Sequence, residues 1–201
     1  IGAACAVAGV DLPLGLPAPP DPAQLFEAIT SHALDLPVPK VKDAVRVLPN
    51  PDDAAVALFI AAHAARPPEE ILGLRHQGLA WCDVSKRVGI ATDVYFVVET
   101  KSETPPFGRA YGHYKRHGAD RRNLRLTDVE IRDLVAVRLA HDYYGIPAER
   151  AMELRRQRGD VRALMVGEYH ERHGRHDERH RGEGHGKDEG RGEHGHGHDH
   201  D

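Results

Sequence analysis

The sequence predicts a mostly α protein, a small helical bundle from two weakly repeated helical units, with a disordered His-rich C-terminal tail. Three observations carry that reading. Apolar residues recur at helical spacing between Pro and Gly stops. One pattern occurs twice at a fixed offset, with Pro67, Glu69, Leu72, Leu74, Arg75 and Gln77 matched by Pro147, Glu149, Met152, Leu154, Arg155 and Gln157. The final segment, Glu168 to Asp201, holds 9 His, 10 acidic, 6 basic and 8 Gly besides Tyr169, and nothing aliphatic. Such a segment buries too little surface to offset the entropy of ordering it, beyond a first turn or two of helix.

Taken in order, residues 1–22 form a signal-like remnant and Pro-rich arm. Ile1 to Gly9 is small and apolar, as in the late part of a secretory signal. Gly2-Ala-Ala-Cys5 loosely resembles a bacterial lipoprotein cleavage site, which implies a lipid anchor at Cys5 and a cell-envelope or periplasmic location. The other reading is a flexible Ala-rich start of a cytosolic chain. Pro13, Pro17, Pro19, Pro20 and Pro22 make an extended spacer.

The helical domain is placed at 23–167. Asp21-Pro22 reads as an N-cap and first-turn pair opening a helix that buries Leu25, Phe26 and Ile29, with Leu34 at its far end. Pro37 and Pro39 are expected to stop it. Pro51-Asp52-Asp53 opens a second helix with Val56, Phe59 and Ile60 inward. Pro67-Pro68-Glu69-Glu70 opens a third, carrying Ile71, Leu72 and Leu74. Gly78 breaks it, and a fourth helix with Trp81, Val84 and Val88 ends at Gly89. Val94 to Val98 is the single strand-like run, equally able to end a helix. Thr100–Gly108 is a loop. Thr127 and Glu130 form a capping box for a helix to Tyr144 with Ile131, Leu134 and Val135 inward. Gly145 closes it, Pro147 starts the next, and a last helix carries Val161, Leu164 and Met165 into the tail of 168–201. The repeated units lie at about 52–89 and 127–167, joined by a connector at 99–126.

Composition excludes several classes of function. A chain of 201 residues fits one domain with appendages. Apolar residues at 40% and aromatics at 5% imply a thin aliphatic core. Two cysteines build neither a disulfide framework nor a four-thiolate metal site. No apolar run approaches the roughly 20 residues of a membrane-spanning helix. Of 27 basic and 31 acidic residues the tail holds 6 and 10, which leaves 21 of each in the body. A neutral body has no general attraction for nucleic acid or anionic lipid.

Chemistry concentrates in the tail. His194, His196, His198 and His200 alternate with Gly or Asp, and His170, His173, His176, His180 and His185 lie upstream. Neutral imidazole suits Zn²⁺, Ni²⁺, Co²⁺ and Cu²⁺, and glycine between the rings lets one chain wrap one ion. A flexible chelator should follow the usual Cu²⁺-favouring series and weaken as pH falls through about 6.5. The competing reading is a solubilising low-complexity tail.

Elsewhere the signals are weaker. His113 and His117 share a helical face but lack a third ligand, and Lys115 and Arg116 between them discourage a cation. The stretch from Leu74 to Gly89 resembles the first half of a helix-turn-helix, of the kind seen in transposases and sigma-like regulators. That resemblance covers a small part of the chain and implies a recognition helix rich in Arg, Lys, Asn or Gln directly after it. Ile90 to Val98 is instead apolar and mildly acidic, a departure from the pattern. Arg109 to Arg125, with Lys115, Arg116, Arg121, Arg122, Tyr111 and Tyr114, would grip phosphate or serve as a solvated connector. Arg155, Arg156 and Arg158 read as an exposed face. Asp52-Asp53 and Glu69-Glu70 read as helix N-terminal charges favoured by the dipole. Cys82 and Ser85 have no catalytic context, and no phosphate-cradling loop is present.

The functional expectation is therefore a non-catalytic interaction module. Its body meets a protein partner and its tail sequesters or hands over a divalent transition metal. The alternatives are a nucleic-acid-associated helical protein using 74–89 and 109–125, and a scaffold with a solubilising tail.

Overall fold

A computed structural model of the chain describes residues 21–97, 108–116 and 124–182, apart from the side chains of 109, 115 and 174–182. The chain divides into two units, one through Glu168 and one from Tyr169 onward. Cys5 and the Pro-rich segment before Asp21 lie outside the described residues, as does most of the connector at 99–126.

The protein is mostly helical. The first unit runs α1 (Pro22–Leu34), α2 (Val38–Val47), α3 (Pro51–Ala64), α4 (Pro68–His76) and α5 (Trp81–Arg87), then a 3-10 turn at Thr92–Tyr95 and α6 (Gly108–Arg116). It continues with α7 (Asp128–Tyr144), α8 (Ala148–Arg158) and the start of α9 (Val161–Gly182). Proline sets many of the starts, because its φ suits the first helical turn and its missing N–H has no partner to lose there. Pro22, Pro39, Pro51 and Pro68 occupy first-turn positions. Pro37 and Pro39 therefore open α2 rather than only ending α1, and Val41 and Ala44 of that helix are fully buried.

Helices α3 and α7 form the centre and pack against each other. Every residue of α3 from Ala54 to Ala61 is buried, so this helix is apolar all round. Helix α7 buries Ile131, Leu134, Val135 and Val137 in the same core. Around them α1 and α2 pack on each other, α4 on α3, and α8 on α7. The capping box is formed: Glu130 N–H donates to Thr127 Oγ1 (3.3 Å), and Thr127 N–H donates to Glu130 Oε2 (2.9 Å). Gly145 ends α7 at φ 64°.

Two expectations are corrected within this unit. Val94 to Val97 is no strand: Val94 and Tyr95 complete the 3-10 turn, and Phe96 and Val97 continue from it into the core. Among the described residues there is no β-strand at all. Isolated from any neighbouring strand, the run has no ladder to join. Tyr95 Oη and Ser85 Oγ bond at 2.6 Å, Phe96 stacks on Tyr114 with centroids 4.2 Å apart, and Tyr111 Oη accepts from Val97 N–H at 3.2 Å.

The second correction concerns charge. Arg155 is not on an exposed face but only 7% exposed, and Asp52 and Asp133 are buried with it. Its Nη2 donates to Asp52 Oδ2 (2.8 Å), its Nε to Asp133 Oδ1 (3.1 Å) and its Nη1 to Gly159 O (2.8 Å). Arg75, the matching position of the first repeat, donates Nη1 to Leu79 O (2.8 Å) and pairs Nη2 with Asp128 Oδ2 (2.7 Å). The remaining oxygen of each aspartate accepts the first N–H of a helix. Asp52 Oδ1 takes Val161 N–H (2.9 Å), and Asp128 Oδ1 takes Trp81 N–H (2.8 Å). The fold thus treats the two motif matches alike: each arginine is clamped by an aspartate from the start of the other repeat's long helix. Asp53 adds a cross-tie, receiving Trp81 Nε1–H (2.7 Å) and both Arg132 Nε and Nη2 (2.8 Å each).

Electrostatics follow from that wiring. Burial alone would raise the Asp53 carboxyl, but the Arg132 guanidinium and Trp81 Nε1–H outweigh it and hold it below the usual carboxylate range. For Asp133 burial prevails over the attraction of Arg155, and its carboxyl is pushed up.

Candidate metal-binding segment

Helix α9 extends through Gly182, about two turns beyond where the composition of the tail suggested order would end. Its later sequence explains why. The last proline is Pro147, so nothing after it removes a helical hydrogen bond. Glu171 precedes Arg175, and Asp177 precedes Arg181, at the i, i+4 spacing, the favourable order on a helix at about 0.2–0.5 kcal/mol per pair.

Four of the nine tail histidines fall on this helix and the other five, His185, His194, His196, His198 and His200, lie outside the described residues. His170 is exposed and His173 half-buried. The His173 ring stacks on Tyr169 with centroids 3.9 Å apart, and its Nδ1–H donates to Tyr169 O at 2.8 Å. His63 and His76 make the same contact, to Phe59 O and Leu72 O. His176 and His180 occupy the next turns of α9 after His173. No group of three or more His, Cys, Asp or Glu side chains is assembled for a metal among the described residues.

The other candidate positions resolve differently. His113 sits half-buried on α6, and His117 lies outside the described residues. The helix-turn-helix-like stretch does form two short helices, α4 and α5, with Gly78 at φ 83° between them. After α5 the chain enters the 3-10 turn and buries Tyr95, Phe96 and Val97, with no third helix presented to a groove. Of the basic stretch, Arg116 and Arg125 are exposed. Tyr111 packs edge-on against Phe96 (5.0 Å), and burial pushes its hydroxyl up to about 12. Ser85 Oγ donates to Trp81 O (2.7 Å) and accepts from Tyr95 O–H, while Cys82 is buried.

A pocket of about 370 Å³ lies between α3 and the 3-10 turn, lined by His63, Gly89, Ile90, Ala91, Asp93 and Val94. His63 stacks on Phe59 (3.9 Å) and donates Nδ1–H to Phe59 O (2.9 Å). Partial burial lowers its imidazole below the ordinary value, so the ring is neutral near pH 7. No helix among the described residues is long and apolar enough to cross a membrane.

Sequence reasoning did not find the buried Asp–Arg network. Its signal was the recurrence of Arg75 and Arg155 at one position of the repeated pattern, with acidic residues at the start of each preceding long helix. Comparison with known families, with functionally described proteins and with solved structures gave no match to this chain.

Proposed function

We propose that this chain is a non-catalytic binding protein whose C-terminal segment takes up divalent transition metal ions, for sequestration or hand-over, while its helical body meets a protein partner. The observation that carries the reading is the density of histidine between Glu168 and Asp201, nine imidazoles interleaved with glycine and carboxylates. Neutral imidazoles with oxygen donors between them favour Cu²⁺, Ni²⁺, Zn²⁺ and Co²⁺ over the hard cations. Ser85 is committed to Trp81 O and Tyr95, and Arg155 to two aspartates.

The test is a competitive Ni²⁺, Zn²⁺ and Cu²⁺ titration of the full chain against a chain ending at Glu168. The expected result is several ions bound at submicromolar affinity by the full chain and none comparably by the shortened one. Equal binding by both would move the site into the bundle. Binding no tighter than that of a generic His-containing peptide would leave a solubilising tail as the better account.

A further inference from the structure

We infer that the tail holds two metal sites of different kind, and that the first is a helix-borne clip at positions 173, 176 and 180 of α9. The inference rests on the metal-binding reading above and specifies where binding begins. At 3.6 residues per turn these three positions lie within about 60° of one another around the helix axis. His176 and His180 stand at i, i+4, a spacing that places the two positions on one face of the helix. The same spacing lets helical histidine pairs hold zinc from a single face. Position 173 extends that face by one turn.

The distal group is built otherwise. His194, His196, His198 and His200 are spaced by two, so a helix would divide them into two pairs on different faces, and glycine or aspartate separates them. Such spacing suits chelation by wrapping one chain around one ion, at an entropic cost of ordering it. The helical positions have their spacing set in advance, so the first equivalent of a borderline divalent ion such as zinc goes to α9. Because the clip exists only in the helical state, binding there also stabilises the last turns of the helix.

Zinc titrations of the full chain, followed by far-ultraviolet circular dichroism and repeated with Co²⁺ for its visible absorption, test this. Three variants are compared: H176Q/H180Q, a single alanine inserted between Asp177 and Glu178, and H194Q/H196Q/H198Q/H200Q. The insertion keeps all nine histidines but turns His180 by about 100° away from His176. In the wild-type chain the first equivalent is expected to raise helical signal. Both the double substitution and the insertion should weaken that equivalent and abolish its gain in helical signal, because the preset i, i+4 pair is lost and the remaining histidines must be ordered around the ion instead. The quadruple variant should keep it and lose only later equivalents. Thermal unfolding without metal checks that every variant retains the bundle. A first equivalent indifferent to the insertion, or lost only in the quadruple variant, overturns the clip and leaves the metal-binding tail standing. A full chain that binds zinc no better than one imidazole overturns both.

Discussion

Asp52 and Asp128 make the same two kinds of bond, one to an arginine and one to the first N–H of a helix, yet their surroundings differ. The Asp52–Arg155 pair leaves 11% and 7% of the side chains exposed, the Asp128–Arg75 pair 26% and 21%. Removing either carboxylate uncaps a helix start, at about 1 kcal/mol. Removing Asp52 also strands a buried guanidinium, a loss of about 3 kcal/mol at the lower end for broken buried pairs. The lower end applies because Asp133 stays within 3.0 Å of Arg155. Removing Asp128 forfeits a partly solvated pair worth about 1 kcal/mol, since water reaches Arg75. Asp52→Ala is therefore expected to cost about 4 kcal/mol and Asp128→Ala about 2 kcal/mol, read from urea midpoints at constant slope. Asp52→Asn keeps an acceptor for Val161 N–H and should fall between wild type and Asp52→Ala. The reasoning is refuted if Asp128→Ala costs as much as Asp52→Ala, or if the asparagine variant unfolds as readily as the alanine one.

Three further outcomes follow from particular contacts. Ser85→Ala leaves the buried Tyr95 hydroxyl without its 2.6 Å partner and should cost about 1–3 kcal/mol, whereas Tyr95→Phe leaves Ser85 bonded to Trp81 O and should cost about 1 kcal/mol; chemical denaturation that ranks them the other way contradicts the wiring. Gly145→Ala, at φ 64° with open space around it, should destabilise by about 1 kcal/mol, and Gly73→Ala, inside α4 and equally unobstructed, should stabilise by about 0.5–1 kcal/mol, so calorimetric Tm values should move in opposite directions. Asp53 is held below its ordinary pKa in the fold, so the unfolded chain binds its proton at higher pH than the native one does. Its contribution is present above the unfolded value of about 3.9 and lost as pH falls through the lowered one. Arg132→Gln removes a main cause of that lowering, and the acid-unfolding midpoint by circular dichroism should move to higher pH.

The helices of the bundle were legible because their punctuation is chemical and local. Thr127 with Glu130, Gly145 after Tyr144, and prolines at 22, 51, 68 and 147 each act within a turn of where they stand. The errors came where one residue type has two local meanings. Pro39 ends one helix pattern and begins another, and only the burial of Val41 and Ala44 decides for α2. Val94 to Val98 has strand composition, yet a strand needs a neighbour, and none is present among the described residues.

The charges show a different limit. Arg155 sits between Leu154 and Arg156 in a run that reads as solvent-facing, and its own helix supplies no acid for it. Its partners stand 103 and 22 positions away, so nothing local to the sequence distinguishes it from its exposed neighbour Arg156. The distinction lay in the comparison of distant positions: Arg75 and Arg155 fall at one place in a pattern that occurs twice, and each pairs with an aspartate at the start of a long helix. The tail is the opposite case. The histidines there suggest ligands by residue type and spacing alone: positions 173, 176 and 180 recur at helical intervals, and 194, 196, 198 and 200 alternate with Gly or Asp. Buried charge has to be located through its partners, whereas a chelating segment carries its partners in its own spacing.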